Sequence, residues 1–356
     1  MEKLVIHNEG GMRRAPLASQ RGVALITALL VVAIATIAVV SLASRQNLDI
    51  RRTGNVIESD QAYLYALGVE TVARELLSQY RLNQAAPKHD TAEMLGTPLT
   101  YPVEGGVVSG SLTDLEAKFN VNALVDGQGA PVQVQKDRFR RLLKTVQDRL
   151  DERGTDPEEL VNAVVDWIDP NEEATAPGGV EDSGYSSEKQ PYRTANRRMA
   201  SATELLLVRG FSKTLLYGKK VEKETVPGLL KYVSALPDWG TTINVNSAEP
   251  EVLLALSPHL TEAMVKDLIK DRGKDGYKQT TDFKDSPVVK AVVGEKERKE
   301  LGDDLSKGID VQSSYFQINA RVQFGRSELA MTSLIYASTS GGKIFTISRS
   351  IGTDGL

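Results

Sequence analysis

The sequence predicts an α+β fold, with a long N-terminal helix packed on an antiparallel sheet and a large helical insertion dividing that sheet. Three observations carry this. An uncharged stretch of 22 residues, Val23–Ser44, leads into a run from Gln46 to Tyr80 that contains no proline. Strand-like patterns occur at 97–117 and again at 313–349. Between them, about 120–306 carries helical spacing at Arg138–Leu150, Glu158–Trp167, Thr203–Leu216, Pro250–Leu256 and Thr261–Arg272.

The first element follows from length and polarity. Twenty-two helical residues span about 33 Å, enough to cross a hydrocarbon core of roughly 30 Å. Secretory signal cores are shorter, about 7–15 residues, although Ser41-Leu42-Ala43 has the small residues of a cleavage site. Lys3, Arg13, Arg14 and Arg21 precede the span and Arg45, Arg51 and Arg52 follow it, a slight excess that places the N-terminus in the cytoplasm. Beyond the span, apolar residues recur at Val56, Ala62, Ala66, Val69, Ala73, Leu76 and Tyr80, the spacing of an amphipathic helix. One helix from about Val23 to Tyr80 would be roughly 85 Å long. Gly54 and Gly68 soften it, and Asn83, Pro87 and Lys88 end it.

The sheet is next. Leu99, Tyr101, Val103, Val107, Val108 and Leu112 around Gly105-Gly106 and Gly110 indicate short strands with turns. Phe316, Ile318, Ala320, Val322 and Phe324 alternate with Gln317, Asn319, Arg321 and Gln323, the period of a half-buried strand. Gly325-Arg326 can turn the chain into a second strand through Leu329, Met331, Ser333 and Ile335, and Lys343 to Ser348 makes a third. Two Asn-Val-Asn triplets, in "FNVNAL" (119–124) and "INVNSA" (243–248), echo each other before helix starts, where asparagine suits capping and turns. The lysine- and aspartate-rich stretch 273–306 has the composition of a variable, exposed segment.

Composition excludes several chemistries. There is no cysteine, so no disulfide, thiol catalysis or cysteine metal site exists. Three scattered histidines, His7, His89 and His259, do not make a zinc site. No G-x-S-x-G or phosphate loop occurs, and no catalytic set is expected. Asp166, Asp169, Asn171, Glu172, Glu173, Glu181 and Asp182 gather around Pro170, Pro177, Gly178 and Gly179. Hard oxygen ligands on a turning loop suit calcium, although the spacing is not that of an EF-hand. A solvated acidic loop is the competing reading, and Asp166 also suits a cap or supporting partner of the Trp167 helix. The 247–265 stretch has the outline of a helix-hairpin-helix. Its hairpin, Ser257-Pro258-His259, has no glycine and lacks one N–H, so it is poorly made for phosphate. With a net charge of −4 this argues against nucleic acid as a partner.

Arg21-Gly22 followed by Val-Ala-Leu-Ile-Thr-Ala-Leu-Leu resembles the class III leader of type IV pilins and type II secretion pseudopilins. The resemblance implies cleavage by a prepilin peptidase after Gly22 and methylation of the new N-terminus at Val23. Most members carry glutamate at the fifth mature position, where this chain has Thr27. That departure resembles the large minor pseudopilin K (GspK-like) branch, and "LTDLEAKFNVNAL" (112–124), "VDWIDPNEEATAPGGVEDSGY" (165–185), "PYRTANRRMASATELLLVRG" (191–210) and "YVSALPDWGTTINVNSAEPEVLLAL" (232–256) carry the same resemblance. It implies a pseudopilin fold with an all-α insertion built of helix-hairpin-helix or SAM-like units. The implied divisions are a leader at 1–22, an anchor and assembly half-helix at 23–45, an amphipathic helix with the first strands at 46–118, the insertion at 119–306 and the remaining strands at 307–356. It also implies structural calcium, for which Asp169, Asn171, Glu181 and Asp182 are the favoured ligands and Asp166, Glu172 and Glu173 further candidates.

The expected role is assembly, not catalysis: a single-pass inner-membrane protein with a periplasmic C-terminal domain, at the tip of the fibre that drives protein export. Implied partners are the other minor pseudopilins, the major pseudopilin, prepilin peptidase and the inner-membrane assembly platform, with the exported substrate or outer-membrane channel as a further contact. The alternatives are a signal-anchored periplasmic binding domain or enzyme, and a DNA-uptake component.

Overall fold

Helix α1 runs Arg21–Leu82 without a break. The computed structural model describes residues 21–82, 98–152, 154–187, 189–222, 224–273, 276–292, 305, 308–338 and 343–352. Of the leader expected at 1–22, residues 1–20 therefore lie outside the described residues, as do most of 293–307. Two compact units divide at Asp60 and Gln61. In the first, α1 is almost entirely exposed, with Leu25, Ile26, Leu29, Val31, Ile34 and Ile37 among its bare apolar side chains. Such a surface is stable only against hydrocarbon or other helices. This is the one helix among the described residues long and apolar enough to cross a membrane.

The second unit begins with the amphipathic end of α1. Ala62, Ala66, Ala73 and Leu77 are buried there, and Leu77, not Leu76, completes the stripe. Strands β1 (Leu99–Val103) and β2 (Gly106–Asp114) form a hairpin through Gly105, whose φ of +87° glycine tolerates. The chain then leaves the sheet for an insertion. In chain order this holds β3 (Phe119–Asn120), a 3-10 turn at Val121–Leu124, α2 (Gln133–Leu150), α3 (Pro157–Ile168) and the single turn α4 (Asp182–Tyr185). A 3-10 stretch at Ala202–Leu207, α5 (Lys213–Tyr217), β4 (Gly218–Val221), β5 (Glu224–Pro227), β6 (Val233–Ser234) and β7 (Ile243–Asn244) follow. Helices α6 (Pro250–Ala255), α7 (Glu262–Arg272), α8 (Thr280–Lys284) and α9 (Pro287–Val292) lead to β8 (Ile309–Asp310). Strands β9 (Tyr315–Phe324), β10 (Ser327–Ala337) and β11 (Ile344–Gly352) return to the sheet, whose order is β1-β2-β9-β10-β11, antiparallel throughout.

One face of the sheet packs on α1. Val108, Ala320, Val322, Leu329 and Met331 meet Ala62 and Ala66, and Leu112, Phe316, Ile318 and Ile335 meet Ala73 and Leu77. Alanines on the helix let the sheet approach closely, and at Gly110 an added Cβ would lie 2.5 Å from Val69 Cγ1. Glu70 is a buried charged residue in this contact. It accepts from Ser333 Oγ, Thr346 Oγ1 and, in a two-pronged pair, Arg349 Nε and Nη2 at 2.7 and 2.8 Å.

The insertion is not all-α, which corrects the expectation. It contains three two-stranded pieces, β3 with β6, β4 with β5 and β7 with β8. The reason is that β3 and β7 are the chain's points of entry and are held by partners far along the sequence. The helix expected over Thr203–Leu216 is broken as well. Gly210 adopts a φ of +92° between the 3-10 turn and α5, and a Cβ there would meet Leu160 Cδ2 at 2.7 Å. Within 273–306, Tyr277, Phe283, Val289 and Val292 are buried, so that part is core, not exposed surface. A single large core joins the insertion, with Phe139, Leu142, Leu143 and Val146 of α2 against Leu160, Val161, Val164 and Val165 of α3.

The two Asn-Val-Asn triplets do the same work twice. Asn120 Oδ1 accepts from Asn122 N at 3.1 Å, and Asn244 Oδ1 accepts from Asn246 N at 3.0 Å. Asn122 then grips a distant segment with both ends of its amide, donating to Met199 O and Leu236 O and accepting from Met199 N. Asn246 repeats this, donating to Tyr277 O and Val311 O and accepting from Tyr277 N. An amide carries donor and acceptor together, so asparagine can close a backbone segment as a strand would.

Candidate functional site

The acidic loop grows out of α3. Asp156 caps that helix, its side chain accepting from Glu158 N at 2.8 Å, and Pro157 occupies the first turn. Asp166 lies on the inner face near the end, and both its carboxylate oxygens accept from Thr175 N, at 3.2 and 3.0 Å. This turns residues 170–175 back over the helix. Gly179 follows because a side chain there would sit 2.3 Å from Asp166 Oδ2. Asn162 Nδ2 donates to Pro177 O and pins the far side of the loop.

Three of the predicted acids come together: Asp166, Asp169 and Glu181 are 0%, 1% and 6% exposed. Both carboxylate oxygens of Asp169 and both of Glu181 are buried without a well-formed hydrogen bond. Burial, then the Asp166 charge, pushes the Asp169 carboxyl up to about 6, eased only in part by the neighbouring Asn171 amides. Glu181 is pushed up to about 7 by burial and by the charges of Asp166, Asp169, Asp182 and Glu172. Orphaned buried carboxylates of this kind are costly unless a proton or a cation neutralises them.

The other candidates are placed differently. Asp182 Oδ1 accepts from Thr194 N and Oγ1 at 2.8 and 2.7 Å, and Oδ2 lies 3.7 Å from Arg193 Nε. Those contacts hold its carboxyl below the usual range. Asn171 Oδ1 accepts from Glu173 N at 2.7 Å, and Glu172 and Glu173 are exposed. The structure adds Asn196, whose buried Oδ1 is unpartnered while its N–H donates to Trp167 O two residues before Asp169. Its φ of +45° is a conformation asparagine adopts more readily than most residues, but nothing in the local sequence separates it from an ordinary loop position. Hard oxygens from Asp169, Glu181, Asp166 and Asn196 fit a cation of the calcium type. Among the described residues no three acids or histidines form a closed metal cage, so the fit rests on the orphaned oxygens.

The processing candidates Gly22 and Val23 both lie within α1. Thr27 Oγ1 donates to Ala24 O at 3.0 Å and Thr36 Oγ1 to Val32 O at 2.7 Å, so both threonine hydroxyls in the apolar half are satisfied by their own helix.

Two family profiles, both described as Type II secretion system (T2SS), protein K, match residues 117–238 and 243–302. The type II secretion system protein K of Pseudomonas aeruginosa is 31% identical over 344 residues, 95% of this chain and 94% of that one. The chain belongs to the type II secretion protein K family. The Pectobacterium carotovorum protein K is 28% identical over 94% of this chain and 97% of its own. In fold, the chain is similar to the crystal structure of the GspK-GspI-GspJ complex of enterotoxigenic Escherichia coli. The TM-score is 0.68 and the identity 24%, covering 85% of this chain and 99% of that one. The boundary between the two K-family matches falls between the two Asn-Val-Asn units, where each half of the insertion closes on its own clamp.

Proposed function

We propose that this K-family protein is a minor pseudopilin at the tip of a type II secretion pseudopilus, initiating or capping the fibre that drives folded proteins from the periplasm across the outer membrane. The match to protein K along nearly the whole chain carries this reading. The leader is cut after Gly22 by prepilin peptidase, and Val23 becomes the methylated N-terminus. The apolar half of α1 then holds the protein in the inner membrane, N-terminus cytoplasmic, until it packs among the helices of the fibre. In a fibre, a glutamate at the fifth position neutralises the terminal ammonium of the subunit above. A tip subunit has none above, and an unpaired carboxylate among apolar helices costs several kcal/mol. Thr27, bonded to its own helix, avoids that cost.

Its partners are the other minor pseudopilins, through the αβ domain and the upper part of α1, then the major pseudopilin and the assembly platform. The structural relative is named as a GspK-GspI-GspJ complex of a type 2 secretion system, which supports partners of this kind. The insertion, with α6 and α7 as its helix-hairpin-helix unit, faces substrate or the outer-membrane channel. No step is catalytic. Intact mass after co-expression with prepilin peptidase tests the reading: a chain starting at methylated Val23 is expected, and an uncut chain or one starting after Ala43 overturns it.

Calcium bound at the acidic loop is the second part of the proposal. Asp169 and Glu181 hold it, with Asp166 and Asn196 adjoining, and its charge substitutes for the protons these carboxylates otherwise need. The ion braces a loop that no disulfide can brace. Calorimetry with added calcium tests this: a melting point that rises in the native chain and stays fixed in Asp169→Asn/Glu181→Gln supports it, and an equal rise in both refutes it.

A further inference from the structure

A second buried acidic group sits away from the loop, at the place where the insertion joins the sheet. The chain crosses this joint twice, outward from β2 to β3 and back from β8 to β9. Asp114 ends β2, and its carboxylate accepts from five donors: Glu116 N, Ala117 N, Asn244 Nδ2, Ser247 Oγ and Ser313 Oγ. Glu116 lies two residues on, and its Oε2 accepts from Ser314 N and Tyr315 N on the returning crossing. The backbone follows the same route, Leu115 N donating to Tyr315 O and Asn244 N to Glu116 O. These two acids thus tie three segments together: the outgoing crossing, the returning crossing and the start of the second half of the insertion.

Asp114 is 7% exposed and Glu116 is 6% exposed. Among the described residues no lysine or arginine forms an ion pair with either. The titratable groups that face Glu116 are Asp114 on its own crossing, Asp310 on β8 and the Tyr315 hydroxyl on β9. The Tyr315 hydroxyl is neutral near pH 7 and neither acid is a cation, so ionised Glu116 faces Asp114 and Asp310 with no positive charge among these groups. Burial raises the Asp114 carboxyl as well, but five donors oppose that rise, whereas Glu116 has two donors on one oxygen and an oxygen left over to carry a proton. A proton on Oε1 leaves Oε2 free to keep both backbone bonds.

We propose that Glu116 and Asp114 form a proton-dependent clasp, which closes the insertion onto the sheet when Glu116 is protonated and loosens when it is ionised. Burial raises the Glu116 carboxyl to about 7 from its ordinary 4.5, so the change falls near neutral pH. Below 4.5 the carboxyl is protonated folded or unfolded, so the clasp is closed and this group gives stability no pH dependence. Between 4.5 and about 7 the folded state holds the extra proton, and stability falls as pH rises.

Hydrogen exchange of the full-length protein tests this, read at 313–316 and 243–248 and corrected for the intrinsic pH effect. Between about pH 6 and about pH 8, exchange at these amides is expected to quicken about tenfold in the native chain. Glu116→Gln is expected to stay slow at both pH values. Asp310→Asn, which removes one repulsion outside the clasp, makes Glu116 easier to ionise, so the transition is expected at lower pH than in the native chain. A native chain without the pH effect, a Glu116→Gln chain that retains it, or an unmoved midpoint in Asp310→Asn overturns the proposal.

Discussion

Asn122 shows how much one side chain can hold. It is fully buried, and its amide satisfies Met199 N, Met199 O and Leu236 O at 2.8, 3.0 and 2.9 Å. Asn122→Ala leaves those backbone groups unpaired, at about 1–3 kcal/mol each where no water enters. A loss of about 3 kcal/mol in urea unfolding is expected, and a loss below about 1 kcal/mol would mean that the clamp is dispensable. Glu70 makes the opposite use of charge. The Arg349 guanidinium, with Ser333 and Thr346, holds its carboxyl down at about 2. Its stabilisation is therefore complete above the ordinary 4.5 and fades as pH falls toward 2. Glu70→Gln is expected to lower stability at neutral pH and flatten the acid limb between about 4 and about 2, checked by melting temperature against pH.

Among the elements, α1 answers to two environments with one helical repeat. Its first half has bare apolar side chains on every side, and its second half buries a single stripe, Ala62, Ala66, Ala73 and Leu77. The stripe works because the sheet offers Gly110 opposite Val69. Gly110→Val is expected to force the helix off the sheet, costing about 1–3 kcal/mol and raising exchange in 61–79 while the insertion amides stay protected. Unchanged exchange in α1 would show that the contact can repack. The two outer strands differ as well: β1 carries Pro102, which cannot donate, whereas β11 has no proline and is broken by an irregular register beside Leu334 and Ile335.

For the whole molecule, the proposed calcium assignment makes the acidic loop a place where pH, cation and stability are coupled. Asp169 and Glu181 are raised to about 6 and about 7 from 3.8 and 4.5. Without a cation, folding takes up protons there, so stability is greatest in mild acid and falls as pH rises through 7. If calcium binds as proposed, millimolar calcium pairs the ionised carboxylates, and that fall is expected to shrink or reverse. Melting curves at about pH 5 and about pH 8, each with calcium and with chelator, check this. A calcium gain that is larger at the acid end contradicts the assignment, because protons and cation compete for the same oxygens.

Much of this was legible in order along the chain. The apolar run, the helix after it, the alternation of Phe316 to Phe324 and the glycine turns are local patterns, and local patterns set local conformation. The K-family stretches were legible for the same reason, as contiguous words. What the sequence could not show was which distant groups meet. It favoured Asp169, Asn171, Glu181 and Asp182 as ligands, with Asp166, Glu172 and Glu173 as further candidates, yet folding turns Asp182 to Thr194 and Arg193, exposes Asn171, sets Asp166 beside Asp169 and Glu181, and ties Asn196 to Trp167. It placed 119–306 as all helix, yet β3 and β7 exist because Val233 and Ile309 lie beside them. Hydrophobic period is written along the chain, whereas burial of a charge depends on every segment that closes over it, and only the tertiary structure decides that.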